Sequence, residues 1–162
     1  MPELIVNLDS VAMLREACRA LEPDPVQVAA VAEAAGAAGI SVQLREDRRH
    51  VQDRDTRVLK ETVKTSFMLA IVPSEPLLLV AEALKPDWVT LVPAGAGVSG
   101  AGVSGRELSG RDDGLRPAVE SLRRAGIRVG LLVQPDLDLV KLAAGLGVQG
   151  VSLHAGSYAA RF

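Results

Sequence analysis

The sequence of 162 residues contains few aromatic residues, one cysteine and no long apolar run. Only 2% of its residues are aromatic, so a core drawn from the 48% that are apolar must consist mainly of aliphatic side chains. The single cysteine, Cys18, excludes an intrachain disulfide and a cysteine metal cluster. We expect Cys18 to be a small buried apolar residue rather than a nucleophile.

The charge balance and the apolar pattern exclude several kinds of partner. Lys and Arg total 18 against 20 Asp and Glu, and no basic stripe stands apart from acidic residues, so we expect no nucleic-acid partner. No apolar run approaches the roughly 20 residues of a membrane span. Residues 1–4 show no basic segment ahead of an apolar one, as a signal peptide would. We therefore expect a soluble cytoplasmic protein without membrane contact.

Short aliphatic segments alternate with helical patterns along the chain. The pattern predicts strands at residues 4–8, 40–44, 67–72, 88–92, 127–133 and 148–153. It predicts helices at residues 25–35, 53–63, 75–84, 112–125 and 136–146. Strands that alternate with helices indicate an α/β protein of parallel β/α units, here in one domain over residues 1–162.

A glycine-rich segment at residues 94–110 follows the fourth predicted strand. It contains G-x-G-x-x-G twice in tandem, a motif found in dinucleotide-binding sites. The context of such a site is missing, because no apolar helix begins at the last glycine and no acidic residue ends a strand about 20 residues later. We interpret the segment as a flexible glycine-rich loop.

The polar segment after the second predicted strand carries the most specific motif, Q-L-R-E-D-R-R-H at residues 43–50. Supporting motifs are N-L-D-S at 7–10, P-D-P-V-Q at 23–27, K-P at 85–86, L-V-P at 91–93, A-G-I at 125–127 and S-L-H-A-G-S-Y at 152–158. In these motifs the chain resembles the pyridoxine 5'-phosphate synthase family of vitamin B6 biosynthesis over nearly its whole length.

The resemblance implies a fold of the (β/α)8 TIM-barrel type, in which ligands bind at the carboxyl ends of the strands. A closed barrel of this type has eight strands and typically about 250 residues. The pattern here predicts about six parallel β/α units. We therefore expect a truncated barrel or an open sheet, with edge strands covered by self-association.

At three positions where the resemblance implies catalytic residues, this chain has different side chains. The family's basic histidine in H-L-R-E-D-R-R-H is replaced by Gln43, and two family glutamates are replaced by Met68 and Ser152. A first-strand histidine is replaced by Ser10, and an arginine by Cys18. Amide, thioether and hydroxyl groups are not general acids or bases near neutral pH. We therefore assign no catalytic residue.

Ligand-binding residues implied by the resemblance remain. The candidates are Asn7, Asp9, Ser10, Arg45 and His50, with His154 as a further possibility. Arg45 is suited to bidentate contact with a phosphate. An alternative remains open, in which residues 45–55 form a structural charge network with Arg48, Arg49 and Arg54 paired to Glu46, Asp47 and Asp53. Two histidines without close spacing do not indicate a metal site, and we expect no metal and no cofactor.

Three hypotheses about function follow. In the first, the chain is a degenerate relative of the synthase, which joins 1-deoxyxylulose 5-phosphate to an aminoketone phosphate, and at most binds a small phosphorylated metabolite. In the second, it is an interaction or scaffold protein that forms homo-oligomers or hetero-oligomers with a relative. In the third and weakest, it is an active synthase completed by another chain.

Overall fold

The computed structural model describes residues 2–92 and 114–159, apart from the side chains of Ser157 and Tyr158. The glycine-rich loop predicted at residues 94–110 lies outside the described residues, as does the start of the helix predicted at 112–125. None of the described helices is long and apolar enough to cross a membrane.

One parallel sheet forms the centre of the described part of the chain. Its six strands are β1 Ile5–Asn7, β2 Gly39–Gln43, β3 Ser66–Ile71, β4 Trp88–Leu91, β5 Arg128–Val133 and β6 Gly150–Leu153. Their order in the sheet is the order in the chain, and every neighbouring pair is parallel. The sheet curls into a half-barrel, which confirms the expected α/β fold of TIM-barrel type with six β/α units.

Helices connect the strands. They are α1 Asp9–Cys18, α2 Pro25–Ala34, α3 Asp53–Thr62, α4 Glu75–Leu84, α5 Leu115–Arg124, α6 Leu137–Gly145 and α7 Gly156–Ala159. The start of α2 was predictable, because the Asp24 side chain accepts a hydrogen bond from the Val26 N–H and Pro25 occupies the first turn. At the start of α3, Gln52 and Asp55 form a reciprocal capping box.

The sequence pattern missed α1 and α7. No side chain caps α1, and within it only Asp9 and Ala12 are buried, so the apolar periodicity that signals a helix is weak. The prediction that Cys18 is buried is wrong, because α1 ends there and its side chain is exposed. The other element ends lie within three residues of the predicted ones where both are described.

The two faces of the sheet differ in chemistry. The outer face packs against the helices and provides aliphatic residues and one phenylalanine that are at most 3% exposed, namely Ile40, Val42, Phe67, Leu69, Ile71, Val89, Leu91, Val129, Leu131 and Val133. Strand side chains alternate between faces, so the residues between them face inward. The aliphatic core predicted from composition is therefore a layer between sheet and helices.

On the inner face, Trp88 covers two glycines of neighbouring strands. A Cβ atom on Gly130 would lie 2.7 Å from Trp88 Cζ2, and one on Gly150 would lie 3.0 Å from Trp88 Cη2. The indole Nε1–H donates to Thr90 Oγ1 at 3.2 Å, and the Arg128 guanidinium lies 5.7 Å from the ring centroid. The missing side chains at the two glycines make room for the indole.

Candidate functional site at the carboxyl ends of the first two strands

Asp9 joins the carboxyl ends of β1 and β2. It is the first residue of α1 and only 5% exposed. Its Oδ1 accepts from the Gln43 N–H at 2.6 Å, and its Oδ2 accepts from Asn7 Nδ2 at 2.8 Å. The Asp9 N–H in turn donates to Asn7 Oδ1 at 3.0 Å. The side chains of Asn7 and Asp9 and the backbone N–H of Gln43 thus meet at the carboxyl ends of β1 and β2.

The electrostatics of Asp9 reflect its position. Burial raises the pKa of the Asp9 carboxyl, because the charged form loses hydration. Hydrogen bonds from the Gln43 N–H and the Asn7 amide, and the nearby charge of His50, act in the opposite direction. Burial dominates, so the pKa of Asp9 lies above its ordinary value. His50 is half-buried, and its charge acts on Asp9 without a hydrogen bond between the two side chains in the described residues.

Arg45 does not contact this cluster through any hydrogen bond seen in the described residues. Its Nε and Nη2 donate to Asp47 Oδ1 and Oδ2, each at 2.9 Å. The Arg45 guanidinium, with further help from the Arg49 backbone N–H, holds the pKa of Asp47 well below its usual range. A phosphate at Arg45 would therefore compete with an existing bidentate partner.

The charge network predicted for residues 45–55 is present with some different partners. Arg48 pairs with Asp53 at 3.2 Å, and Arg49 approaches Asp47 at 3.9 Å. Arg48 contacts Glu46 through the Glu46 carbonyl oxygen. Arg54 pairs with Asp24, outside the segment, at 2.8 Å and with Asp55 at 3.3 Å.

The most buried ion pair near the site was missed by sequence reasoning. Arg15 Nη2 lies 2.6 Å from Asp55 Oδ2, and the Asp55 side chain is fully buried. Arg15 also donates to the carbonyl oxygen of His50 at 3.0 Å. Arg15 lies in the helix that was not predicted, so nothing in the sequence pattern connected it with Asp55.

The three replaced positions lie on one face of the sheet. Gln43 on β2 is in register with Ala70 on β3, which lies two residues after Met68. Ser152 on β6 is in register with Leu132 on β5, which lies two residues after Gly130. Ala70 and Gly130 are connected through Thr90. Side chains two residues apart share a face, so Gln43, Met68 and Ser152 all point to the inner side of the half-barrel.

The other predicted residues, Ser10 and His154, make no hydrogen bond to Asn7 or Asp9 in the described residues. Ser10 is exposed on α1, and His154 follows β6, which is separated from β2 by three strands. His154 Nδ1 is buried without a hydrogen-bond partner among the described residues. Across residues 2–92 and 114–159 no group of three or more His, Cys, Asp or Glu is placed to hold a metal ion.

Two cavities lie outside the cluster. One of about 500 Å³ is lined by Arg57 and Leu84 among other residues of α3 and α4. The second, of about 560 Å³, is lined by Arg15 and Asp55 among others. Neither is lined by Asn7, Asp9 or His50.

The fold and the position of the cluster define the class: a parallel β/α protein of TIM-barrel type with polar residues at the carboxyl ends of its strands. A sequence model described as "Pyridoxal phosphate biosynthesis protein PdxJ" matches residues 4–162. The chain belongs to this family.

Curated relatives agree with the family match. The pyridoxine 5'-phosphate synthase of Citrifermentans bemidjiense is 43% identical over 159 residues, which are 98% of this chain and 66% of that protein. Proteins of the same name from a Synechococcus strain and from Geobacter metallireducens are 46% and 43% identical over the same shares. The chain thus spans slightly less than two thirds of the length of these relatives.

Proposed function

We propose that this chain binds a small phosphorylated metabolite at the Asp9 cluster and does not carry out the condensation of its family. The observation that carries the proposal is the hydrogen-bonded group of Asn7, Asp9 and the Gln43 N–H, with His50 beside it. These polar groups are gathered at the strand ends, where ligands of parallel β/α proteins bind.

The replaced residues argue against the condensation. Ring closure requires repeated proton transfers, and each positioned acid or base is typically worth about 10²–10⁴-fold in rate. Gln43, Met68 and Ser152 share the inner face, and none of these three side chains is a general acid or base near neutral pH. A site without these groups is still able to bind, because binding requires shape and hydrogen bonds rather than proton transfer.

The charges of the cluster favour a hydroxyl-bearing phosphate ester over inorganic phosphate. Asp9 would repel a phosphate, but each of its carboxylate oxygens has a further lone pair with which to accept a hydrogen bond from a ligand hydroxyl. His50 and, after release from Asp47, Arg45 provide the positive partners for the phosphate group. The small-metabolite ligand and the biosynthetic family both support a cytoplasmic location.

Calorimetric unfolding with added ligands tests the proposal. A ligand at 100 times its dissociation constant should raise the free energy of unfolding by about 2.7 kcal/mol. We expect this rise for 1-deoxyxylulose 5-phosphate or pyridoxine 5'-phosphate and a smaller one for inorganic phosphate. Replacing His50 by Gln should reduce the effect, while the same change at His154 serves as the matched control.

Two results would contradict the proposal. Equal stabilisation by inorganic phosphate and by the esters would mean that the cluster does not recognise the organic part of the ligand. An unchanged transition with all three would mean that the site does not bind them. Formation of pyridoxine 5'-phosphate from the two family substrates, by this chain alone or mixed with a full-length relative, would instead support the synthase hypothesis.

A second candidate function, as an oligomeric interaction protein, has one observation in its favour. In the described residues β1 and β6 are the edges of the sheet, and Val151 and Leu153 on β6 are 38% and 56% exposed. Apolar side chains beside an unpaired strand edge favour contact with another chain. Light scattering should then show an assembly that Val151→Lys disrupts, and a monomer at every concentration would eliminate this function.

A further inference from the structure

The Arg15–Asp55 pair is a buried, bidentate link between α1 and α3. Arg15 Nη1 donates to Asp55 Oδ1 at 3.0 Å and Arg15 Nη2 donates to Asp55 Oδ2 at 2.6 Å. The Arg15 side chain is 11% exposed and that of Asp55 is 0% exposed. Two parallel hydrogen bonds in a buried setting fix the orientation of both side chains.

The same two side chains hold the backbone on both sides of Val51. Arg15 Nη2 donates to the His50 carbonyl oxygen at 3.0 Å, and Asp55 Oδ2 accepts from the Gln52 N–H at 3.0 Å. Val51 itself is 2% exposed and belongs to the core. The peptide groups next to His50 are therefore fixed by one arginine, one carboxylate and one buried side chain.

His50 is the residue of the candidate site that depends on this arrangement. Its carbonyl oxygen accepts from Arg15, and the charge of its imidazole lowers the pKa of Asp9, whereas neither Arg15 nor Asp55 hydrogen-bonds to Asn7 or Asp9 in the described structure. Arg15 contacts the backbone of His50 directly, and it is also linked to Asp9 through α1, which contains both residues. We propose that Arg15 is a positioning residue, which holds the His50 imidazole beside Asp9 and thereby sets the affinity of the cluster for a phosphate ester.

The affinity part of this inference rests on the function proposed above, and the position of the imidazole does not. The role suits arginine more than lysine, because one guanidinium reaches both oxygens of Asp55 and the His50 carbonyl at once. Lysine at position 15 would keep the positive charge near Asp55 and lose the fixed planar geometry. Arg15→Lys thus separates the charge of the pair from its geometry.

Arg54 offers a matched control. It also donates to Asp55, at 3.3 Å, and to Asp24, but it makes no hydrogen bond to the backbone of His50. Arg54→Lys therefore disturbs the same carboxylate from its other side. A purely structural role of the network predicts similar consequences for the two lysine variants, whereas a positioning role predicts an effect on His50 from Arg15→Lys alone.

Histidine ring signals in NMR spectra of the ligand-free protein provide the first readout. The sequence contains only 2 histidines, so His154 is an internal control in the same spectrum. Arg15→Lys should shift the His50 ring signals and leave those of His154 in place, and Arg54→Lys should leave both in place. The carboxyl titration of Asp9 should also move upward in Arg15→Lys, because the nearby His50 charge lowers its pKa.

Ligand titration provides the second readout. Loss of the fixed geometry should weaken binding of 1-deoxyxylulose 5-phosphate about tenfold, equivalent to about 1.4 kcal/mol, and Arg54→Lys should bind as the unmodified chain does. If no ester binds to any variant but the His50 signals still move, the proposed function fails and the positioning role remains. If the His50 signals and the affinity are unchanged in Arg15→Lys, the inference is overturned.

A variant that leaves the ion pair intact covers the case in which Arg15→Lys does not fold. Val51→Ala loosens the same segment from its buried side without touching Arg15 or Asp55. It should also shift the His50 ring signals and leave those of His154 unchanged. Unmoved His50 signals in a folded Val51→Ala protein would equally overturn the inference.

Discussion

Replacing Asp55 by Asn should destabilise the fold at neutral pH by about 3–5 kcal/mol, because it leaves a buried guanidinium without its charge partner. The magnitude follows from the contacts of the carboxylate. Asp55 accepts two hydrogen bonds from Arg15, one from the Gln52 N–H and one from Arg54. An asparagine provides one oxygen acceptor instead of two and directs its N–H groups at other donors.

An exposed ion pair of the same protein supplies the control. Lys141 and Asp138 are separated by one helical turn on α6, and Lys141 Nζ lies 3.2 Å from Asp138 Oδ1. Their side chains are 75% and 89% exposed. Asp138→Asn should cost less than about 1 kcal/mol, since water screens and solvates both charges. The contrast between the two Asp→Asn variants therefore measures burial and geometry rather than charge alone.

The destabilisation by Asp55→Asn should depend on pH. Burial alone raises the pKa of Asp55, but the hydrogen bonds from Arg15 and the Gln52 N–H outweigh it, so the pKa in the folded protein is lowered. A carboxyl with a lowered folded pKa stabilises the fold above its unfolded value, about 3.9, and this contribution is lost as pH falls through the folded value. The difference between the two proteins should be constant near neutral pH and shrink below about pH 4.

Urea unfolding followed by circular dichroism, at several pH values, measures these free energies. The double variant Arg15→Met with Asp55→Asn should lose less than the sum of the single losses. Each single variant leaves one buried charge without its partner, whereas the double variant removes both charges. The reasoning is refuted if Asp55→Asn costs no more than Asp138→Asn at neutral pH. A loss that stays constant below pH 3 would refute the electrostatic part alone.

Two further predictions concern the inner face and the carboxyl groups. Gly130→Ala should destabilise the fold by about 1–3 kcal/mol, because its Cβ would lie 2.7 Å from Trp88 Cζ2. As a control, the Cβ of Gly145→Ala on α6 would meet no atom within 4 Å, so this change should stabilise the fold by up to about 1 kcal/mol. Equal effects of the two changes in urea unfolding would contradict the packing described. In carboxyl ¹³C NMR, Asp9 should titrate above its ordinary pKa because burial raises it, and Glu33 below its own because Thr65 donates to it. Protonation of Asp9 in acid should therefore stabilise the fold, and protonation of Glu33 should destabilise it. If the measured pKa values of both groups were shifted in the same direction from their ordinary values, these environments would be contradicted.

The alternation of aliphatic segments with helical patterns was enough to predict the parallel sheet. Each β/α unit contributes one buried strand, and these strands are visible in the sequence as short aliphatic segments. Residues such as Ile40 and Phe67 are fully or almost fully buried for that reason. The helix α1 was missed because it begins without a capping side chain and buries only two of its residues. A helix is predicted from apolar residues that recur with its period, and a short helix with only two buried positions does not show that recurrence.

The candidate site could be predicted in part. Asn7 and Asp9 were candidates from the resemblance, and hydrogen bonds join them to each other and to the Gln43 N–H, because parallel strands bring their carboxyl ends together. Arg45 was a ligand-binding candidate with a structural charge network as the alternative, and in the structure it pairs with Asp47, two residues away. The Arg15–Asp55 contact spans 40 residues, and no local rule of spacing or period connects side chains at that separation.

The indole on the inner face has a practical consequence. Trp88 is the only tryptophan in the sequence, and it lies across β5 and β6, where Gly130 and Gly150 make room for it. All tryptophan fluorescence of this chain therefore originates from one half-buried position inside the curl of the sheet. Its emission wavelength and its quenching by acrylamide report whether that concave surface is open to water. A second chain that closed the half-barrel would protect the fluorophore, whereas one that bound to the outer helices would leave its quenching unchanged.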